Sequence, residues 1–468
     1  MAKKMNFDLK KYVIRDNQSI RNTLKKVDKN HYGMILVISS EDEVIGVATD
    51  GDIRRALIKG VTLEDQISKC MNKKFAFAST QTSRENLIKK LDGHIRFIPI
   101  LDDENKLDSI VSKDFIPLQE ESDVYIRSRA PVRISFGGGG SDVTHYFTGH
   151  PGAVINAAVS IYSHATMRVR NDQKIVIHSL DINKTLTADS LEEALKTKGS
   201  FGLILSLLKI INPAFGFTLY LNSDFPIGSG LGGSATLSAA LLGCFNLLRR
   251  DRWDRHELAE IAFQAERLHL GIAGGWQDQY AAVFGGFNFL EFDANQNVIN
   301  PIRIQSDTLL ELEENLVLCD TGITHNSGDI HENQKKITSD KNIKEKVTEN
   351  VRLTYDIRNY LLRGRLDQFG KALNETWQLK KKFSEMISND VIDEIYDGAI
   401  KNGALGGKLL GAGGGGFFVF YVTPFMKHKL LEYLKTKELP VRPFRFESEG
   451  LRTWTSRVNN SAKSYKKL

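Results

Sequence analysis

The sequence predicts an α+β (mixed α/β) protein with a small duplicated N-terminal module and a larger body organised on one strand–loop–helix junction. Three observations carry this. A strand-like run, Phe217–Leu221, passes through a glycine-rich turn into a helical run, Ala239–Leu248. A pattern of helix, strand, acidic turn and strand occurs twice before residue 120, about 60 residues apart. The chain has 468 residues, room for roughly two to four domains.

Composition bounds the rest. The apolar fraction, 41%, suits an ordinary globular chain, and the net charge of +6 admits an anionic substrate without arguing for nucleic acid. The basic run Lys463–Lys467 reads as a solvated tail. Cys70, Cys244 and Cys319 match no zinc spacing and suit reduced thiols. No apolar run reaches membrane-spanning length and no signal-peptide core opens the chain, so a soluble cytoplasmic protein with no membrane partner is expected.

The repeat comes first. Ser19–Val27 reads as a helix, Met34–Ile38 and Val44–Ala48 as strands, and Thr49 to Asp52 as the opening of a second helix. Ser83–Leu91, Phe97–Leu101 and Leu107–Val111 repeat the order. Thr49 and Asp52 flank a helix start, which suits a ribose and phosphate; helix capping is the plainer reading. Over about residues 10–117 the pattern resembles a tandem pair of CBS domains. That resemblance implies a regulatory module over 1–120, an adenine nucleotide at Thr49 and Asp52, and a homodimer contact through the pair. The second copy departs from the family signature, because Ser112 and Asp114 stand one residue too close.

The polar stretch Glu120–Asp123 reads as a linker. After it, Val132, Ile134 and Phe136 alternate as on a strand, with Arg133 on the opposite face and four glycines turning the chain to Asp142. The junction itself runs from Pro226 to Thr236. Its glycines lie where a helix N-terminus leaves N–H groups unpaired and the helix dipole favours an anion, so it reads as a phosphate cradle. A simple turn is the bland alternative. Gly228, Gly230 and Gly233 also fit a dinucleotide fingerprint, but the acidic residue at the required distance, Asp251, follows Arg249 and Arg250 at a helix end. A Walker A loop is excluded, since no lysine follows the glycines. Ser234 offers a hydroxyl to a magnesium ion. Downstream, Asp254 and Glu257 form a capping-box start. Leu258, Ile261, Ala262, Ala265 and Leu268 follow as a helical apolar stripe, with Glu266 off its centre. Gly271, Gly274 and Gly275 end that helix before Asp278.

These separated motifs, in this order, resemble the GHMP small-molecule kinases over residues 125–468. The runs Phe136–Asp142 and Lys408–Gly416 are most similar to those of the D-glycero-D-manno-heptose 7-phosphate kinases, with bacterial fucokinases next. The resemblance implies a two-lobed kinase, with an ATP-binding lobe at 125–300 and a C-terminal lobe at 301–468. It implies ATP phosphates held by Gly228, Ser229, Gly230, Leu231, Gly232, Gly233, Ser234 and Ala235, and Mg²⁺ held by Ser234 and Glu266. By the same resemblance Asp278 is the base and Arg133 stabilises the transferring phosphoryl group. Asp142 takes the sugar hydroxyls, with Gly139, Gly140 and Gly275 beside it. Glycines stand where galactokinases carry Glu-His before that aspartate, which argues against galactose.

In the remainder, Leu316–Leu318 is strand-like, and Cys319 reads as a small buried residue. Helical stretches are expected at about 329–363, 366–387 and 389–402, and a second glycine cluster, 411–416, precedes the strand Phe417–Tyr421. In the kinase family that cluster packs beside the active site; Lys408 before it reads equally as a phosphate contact or a solvated lysine. The expected function is ATP-dependent phosphorylation of heptose 7-phosphate to the 1,7-bisphosphate, for nucleotide-activated heptose synthesis. The alternatives are a fucokinase-like or other sugar-1-kinase and, from another class, a non-enzymatic adenine-nucleotide sensor.

Overall fold

The computed structural model describes residues 9–92, 95–113, 116, 124–323 and 341–457. The chain divides into two units, residues 1–121 and 122–468.

In the first unit, strands β1 (Val13–Arg15), β2 (Met34–Ile38) and β3 (Val44–Thr49) form a sheet in that order. Strands β4 (Ala78–Ser79), β5 (Phe97–Leu101) and β6 (Leu107–Ser112) form a second. In each, the first pair is parallel and the second antiparallel, with a helix, Ile20–Asn30 or Arg84–Asp92, crossing between the parallel strands. The repeat seen in the sequence is therefore a repeat of topology. The unbroken apolar run of β2 is explained by burial on both faces. Ile35 and Val37 pack with Ile20 and Val27, while Leu36 packs with Leu101 and Ile110 of the second copy. Asp114 and the expected linker 120–123 lie outside the described residues, as does the tail at 463–467.

The second unit is built on two long strands, β7 (Val124–Gly137) and β8 (Gly152–Val169), paired antiparallel. Strands β9 (Ile175–Ser179), β10 (Lys184–Ala188) and β11 (Phe217–Ser223) extend the sheet from one half of β8. Strands β12 (Phe287–Phe292) and β13 (Asn297–Pro301) extend it from the other half. A smaller antiparallel sheet is ordered β15 (Ala404–Leu409), β16 (Phe417–Val422), β14 (Leu316–Asp320), β17 (Val441–Arg442). Strand β18 (Arg452–Arg457) then returns to pair with β7, so residues far past 301 complete the first sheet. The alternation on β7 holds, with Val132, Ile134 and Phe136 together in one apolar cluster. The opposite face is not solvent, however: Arg133 is only 3% exposed.

Several expected element limits change. The first C-terminal helix is described as Lys341–Leu362, and residues 324–340 lie outside the described set. The second stops at Lys381 and gives way to a 3₁₀ turn, Glu385–Ile387; the third is Asp390–Lys401. Lys408 is not solvated: it lies on β15 and is 1% exposed. Leu268, placed on the buried stripe, is 72% exposed. After helix Arg255–Phe263 the backbone widens into a six-residue π-helix, Gln264–His269, and the 3.6-residue period no longer applies. Among the described residues no helix is long and apolar enough to cross a membrane.

Trp377, fully buried, packs edge-on against Phe418 at 5.7 Å and joins helix Leu366–Lys381 to the small sheet. Its indole N–H has no hydrogen-bond partner among the described residues. Trp377→Ala is expected to cost about 3–5 kcal/mol. Trp377→Phe, which removes the unpaired donor and keeps most of the packing, is expected to cost much less. Urea unfolding of the two variants checks the ordering.

Candidate functional site

The glycine loop follows β11 and opens helix Gly233–Leu248. Gly228, Gly230 and Gly232 all have positive φ, which side-chain-bearing residues rarely adopt. Gly232 caps the helix with no side chain to satisfy the first-turn N–H groups, and no acidic residue stands in that turn. Those donors and the positive end of the dipole are left for an anion. Gly228, Ser229, Gly230, Gly232, Gly233 and Ser234 line a cavity of about 410 Å³. Leu231 and Ala235 instead send their side chains into the core, at 0% and 1% exposure. The second glycine cluster backs this loop: Phe417 N–H donates to the Ser229 carbonyl at 3.1 Å. A Cβ on Gly230 would lie 2.6 Å from the Leu410 carbonyl oxygen.

Beneath the loop lies a charged tie. Arg133 Nε donates to Asp278 Oδ1 at 2.8 Å and Nη2 to Oδ2 at 2.9 Å, while Nη1 donates to the Gly230 carbonyl at 2.7 Å. Asp278 stands in the first turn of helix Gln277–Phe284, where the dipole favours a carboxylate. It is not the helix cap, which is Trp276. Asp278 keeps 20% side-chain exposure against 4% for Arg133, so the carboxylate is the partner that a ligand can reach. Asp142 is 3% exposed and accepts from the backbone N–H groups of Gly140 at 3.2 Å and Gln277 at 3.3 Å. Burial, and then the neighbouring Asp278, push its carboxyl above the ordinary range. Gly139, Gly140, Asp142 and Gly275 all line the same cavity.

Glu266 is turned inward by the π-helix and is 4% exposed. It accepts the Ser234 hydroxyl on Oε1 and Gln279 Nε2 on Oε2 at 2.9 Å. Two hard oxygen donors, already in contact beside the glycine loop, are the donor type that Mg²⁺ takes when it keeps waters and binds phosphates. The set therefore fits that ion.

Some lining residues carried no local signal in the sequence. Ser179, Asp181, Ser223, Phe225, Leu237, Lys380 and Phe383 all line the cavity. Arg267 ties down the 272–275 segment through the carbonyls of Ile272, Ala273 and Gly275. In the first unit, Thr49 and Asp52 form a reciprocal capping box at helix Asp50–Ile58. The three cysteines are buried and free, and burial pushes the Cys244 and Cys319 thiols up to about 12.

Comparison with known proteins follows the same segments. The family model for the GHMP kinases N terminal domain matches residues 197–286, that for the GHMP kinases C terminal matches 357–434, and the CBS domain model matches 8–59. D-glycero-alpha-D-manno-heptose 7-phosphate kinase of Campylobacter jejuni is 38% identical over 335 residues, 70% of this chain and 98% of that one. L-fucokinase/L-fucose-1-P guanylyltransferase of Bacteroides fragilis is 29% identical, covering 66% of this chain and 36% of its own length. A crystal structure of a D-glycero-D-manno-heptose 1-phosphate kinase from Bacteroides thetaiotaomicron superposes with a TM-score of 0.59 at 30% identity, over 70% of this chain and 98% of that one.

A Cβ on Gly275 would stand 1.9 Å from Asp142 Oδ2. Gly275→Ala is therefore expected to displace Asp142 and to cost about 1–3 kcal/mol of stability, which urea unfolding checks.

Proposed function

This chain belongs to the GHMP kinases, and from that premise we propose that it transfers the terminal phosphoryl group of ATP to the anomeric hydroxyl of D-glycero-D-manno-heptose 7-phosphate. That it is a sugar kinase follows from the family and from the 38% identity to a heptose 7-phosphate kinase along nearly all of that relative's length. The observation that carries the residue roles is the bidentate Arg133–Asp278 pair under the glycine loop. The non-enzymatic sensor is set aside on the same grounds.

In this reading Asp278 accepts the proton of the attacking hydroxyl. Its carboxylate is the exposed member of the pair and lines the cavity beside the loop. Arg133 fixes the orientation of that carboxylate and links it to the Gly230 carbonyl, so the base and the phosphate cradle move as one body. As Asp278 gains the proton, the guanidinium is released to face charge on the phosphoryl group. Asp142 holds sugar hydroxyls; with its pKa raised it is suited to donate as well as accept. The loop glycines and Ser229 bind nucleotide phosphates through backbone N–H groups. Ser234 and Glu266 would hold Mg²⁺, which when bound neutralises charge on the phosphates. Phosphoryl transfer asks mainly for positioning and charge neutralisation, which this set supplies.

For residues 1–120 we infer a regulatory CBS pair and a contact between copies of the chain, supported by the repeated topology and the match over residues 8–59. An adenine nucleotide at Thr49 and Asp52 would exchange for the capping bonds those side chains now make with each other.

Asp278→Asn is expected to lower kcat by about 10²–10⁴-fold while ATP affinity stays near wild type. Near wild-type turnover would remove the base assignment. In an ADP-release screen, heptose 7-phosphate should give a higher kcat/KM than fucose, galactose or mannose derivatives. A preference for fucose would move the assignment to the fucokinase reading.

A further inference from the structure

One buried cation in the cavity has no part in the reaction as described. Lys380 stands near the end of helix Leu366–Lys381, is 5% exposed, and lines the cavity with Arg133, Asp142 and Asp278. Its Nζ donates to the carbonyl of Gly411, the residue packed on Gly230. Among the described residues it makes no ion pair. An ammonium taken out of water with one carbonyl for company is costly, and such groups are kept where they do chemistry.

Its charged surroundings come from several elements. Arg133 faces it from β7, Asp142 from the loop after β7, Asp278 from helix Gln277–Phe284, and Lys408 from β15. On its own helix, Lys381 is engaged with Asp393. On helix Lys341–Leu362, Arg352 pairs with Glu349 and Asp356 away from the cavity, and Glu385 of the 3₁₀ turn is exposed. Burial, and then Arg133, lower Lys380 to about 8 against the pull of the two carboxylates. Arg133 is already matched by Asp278, and burial pushes Lys408 well below the ordinary lysine range, so Lys380 is the lining cation whose present partner is a neutral carbonyl and which an incoming anion would meet.

We propose that Lys380 is a second catalytic cation, whose ammonium leaves the Gly411 carbonyl to meet an oxygen of the phosphoryl group in transit. The inference rests on the kinase reading of this cavity. In the step, the sugar oxygen forms a bond to the terminal phosphorus and that phosphorus loses its bond to the bridging oxygen. The hydroxyl proton passes to Asp278, and ADP leaves with the bridging electron pair. Negative charge spreads over the oxygens of the phosphoryl group as this happens. Arg133 keeps its bond to the Gly230 carbonyl when Asp278 takes the proton, whereas the lysine head is held by one carbonyl bond on a flexible stem.

The test compares wild type, Lys380→Met, Lys380→Arg and, in parallel, Asp278→Asn, with the sugar that wild type turns over fastest. Wild-type kcat/KM should fall as pH rises through about 8, because the lysine must be protonated. Lys380→Met should lose about 10²-fold or more in kcat at pH 7, and its alkaline fall at this pH should vanish. Lys380→Arg should keep part of the rate and also lose the fall near pH 8, since its charge persists. ADP should bind Lys380→Met within about threefold of wild type, while ADP with aluminium fluoride and sugar should bind more weakly, in step with kcat.

A Lys380→Met enzyme within about threefold of wild type, or one that keeps the alkaline fall, would overturn the proposal. So would an equal loss of ADP and ADP–aluminium fluoride binding, which marks support through the glycine loop. Should the methionine variant lose its thermal transition, the arginine variant carries the same pH test alone. The aspartate variant keeps the two readings apart: normal turnover there with the expected lysine results would fail the base and leave Lys380 standing.

Discussion

The pair formed by Arg133 and Asp278 is the constraint on which the second unit depends. A guanidinium at 4% side-chain exposure survives only if its donors are met, and they are met by one carboxylate and one loop carbonyl. Removing one member of such a pair typically costs about 3–5 kcal/mol, because the other is left buried and unpaired. Three elements must therefore stay in register: β7, helix Gln277–Phe284 and the loop after β11. The tie that makes the fold cooperative there is also, in the function proposed, the tie that aligns a base with a phosphate cradle.

The two glycine clusters extend this logic. The loop at 228–233 can present its N–H groups only if something firm stands behind it, and the residues from Leu410 to Phe417 do so at backbone-to-backbone distance. Side chains there would push the layers apart. The same tight packing brings Lys380 and Lys408, from the C-terminal segment, within electrostatic reach of Arg133 and Asp142. In the function proposed, an anionic substrate entering this cavity would meet charges fixed before it arrives, which lowers the reorganisation needed at the reaction centre.

What could be read from sequence alone follows the range of the interactions. The strand–loop–helix junction, the capping boxes at Thr49 and Asp254, and the duplicated strand pattern are local, and local chemistry was enough. Arg133 and Asp278 are 145 residues apart, so their meeting was accessible only through resemblance to a family. The inward turn of Glu266 was hidden because helical periodicity assumes 3.6 residues per turn, and the π-helix breaks that assumption while pushing Leu268 out. Lys380 gave no signal among many exposed lysines, and Lys408 stood out only through the glycines beside it, since nothing local marks a lysine that tertiary packing will bury. The early stop at Lys381 was likewise obscured by continuing helix-compatible residues.

The return of β18 to the edge of β7 has a consequence for how the molecule is made. Val124 and Arg457 face each other in the ladder, yet the ribosome produces them more than three hundred codons apart. At about 5–20 residues per second, the nascent β7 waits on the order of tens of seconds for its outer partner. During that interval its edge is open to pairing with other chains, a hazard that chaperones exist to cover. A stop codon before β18 would thus damage the sheet that holds Arg133, far upstream of the lesion.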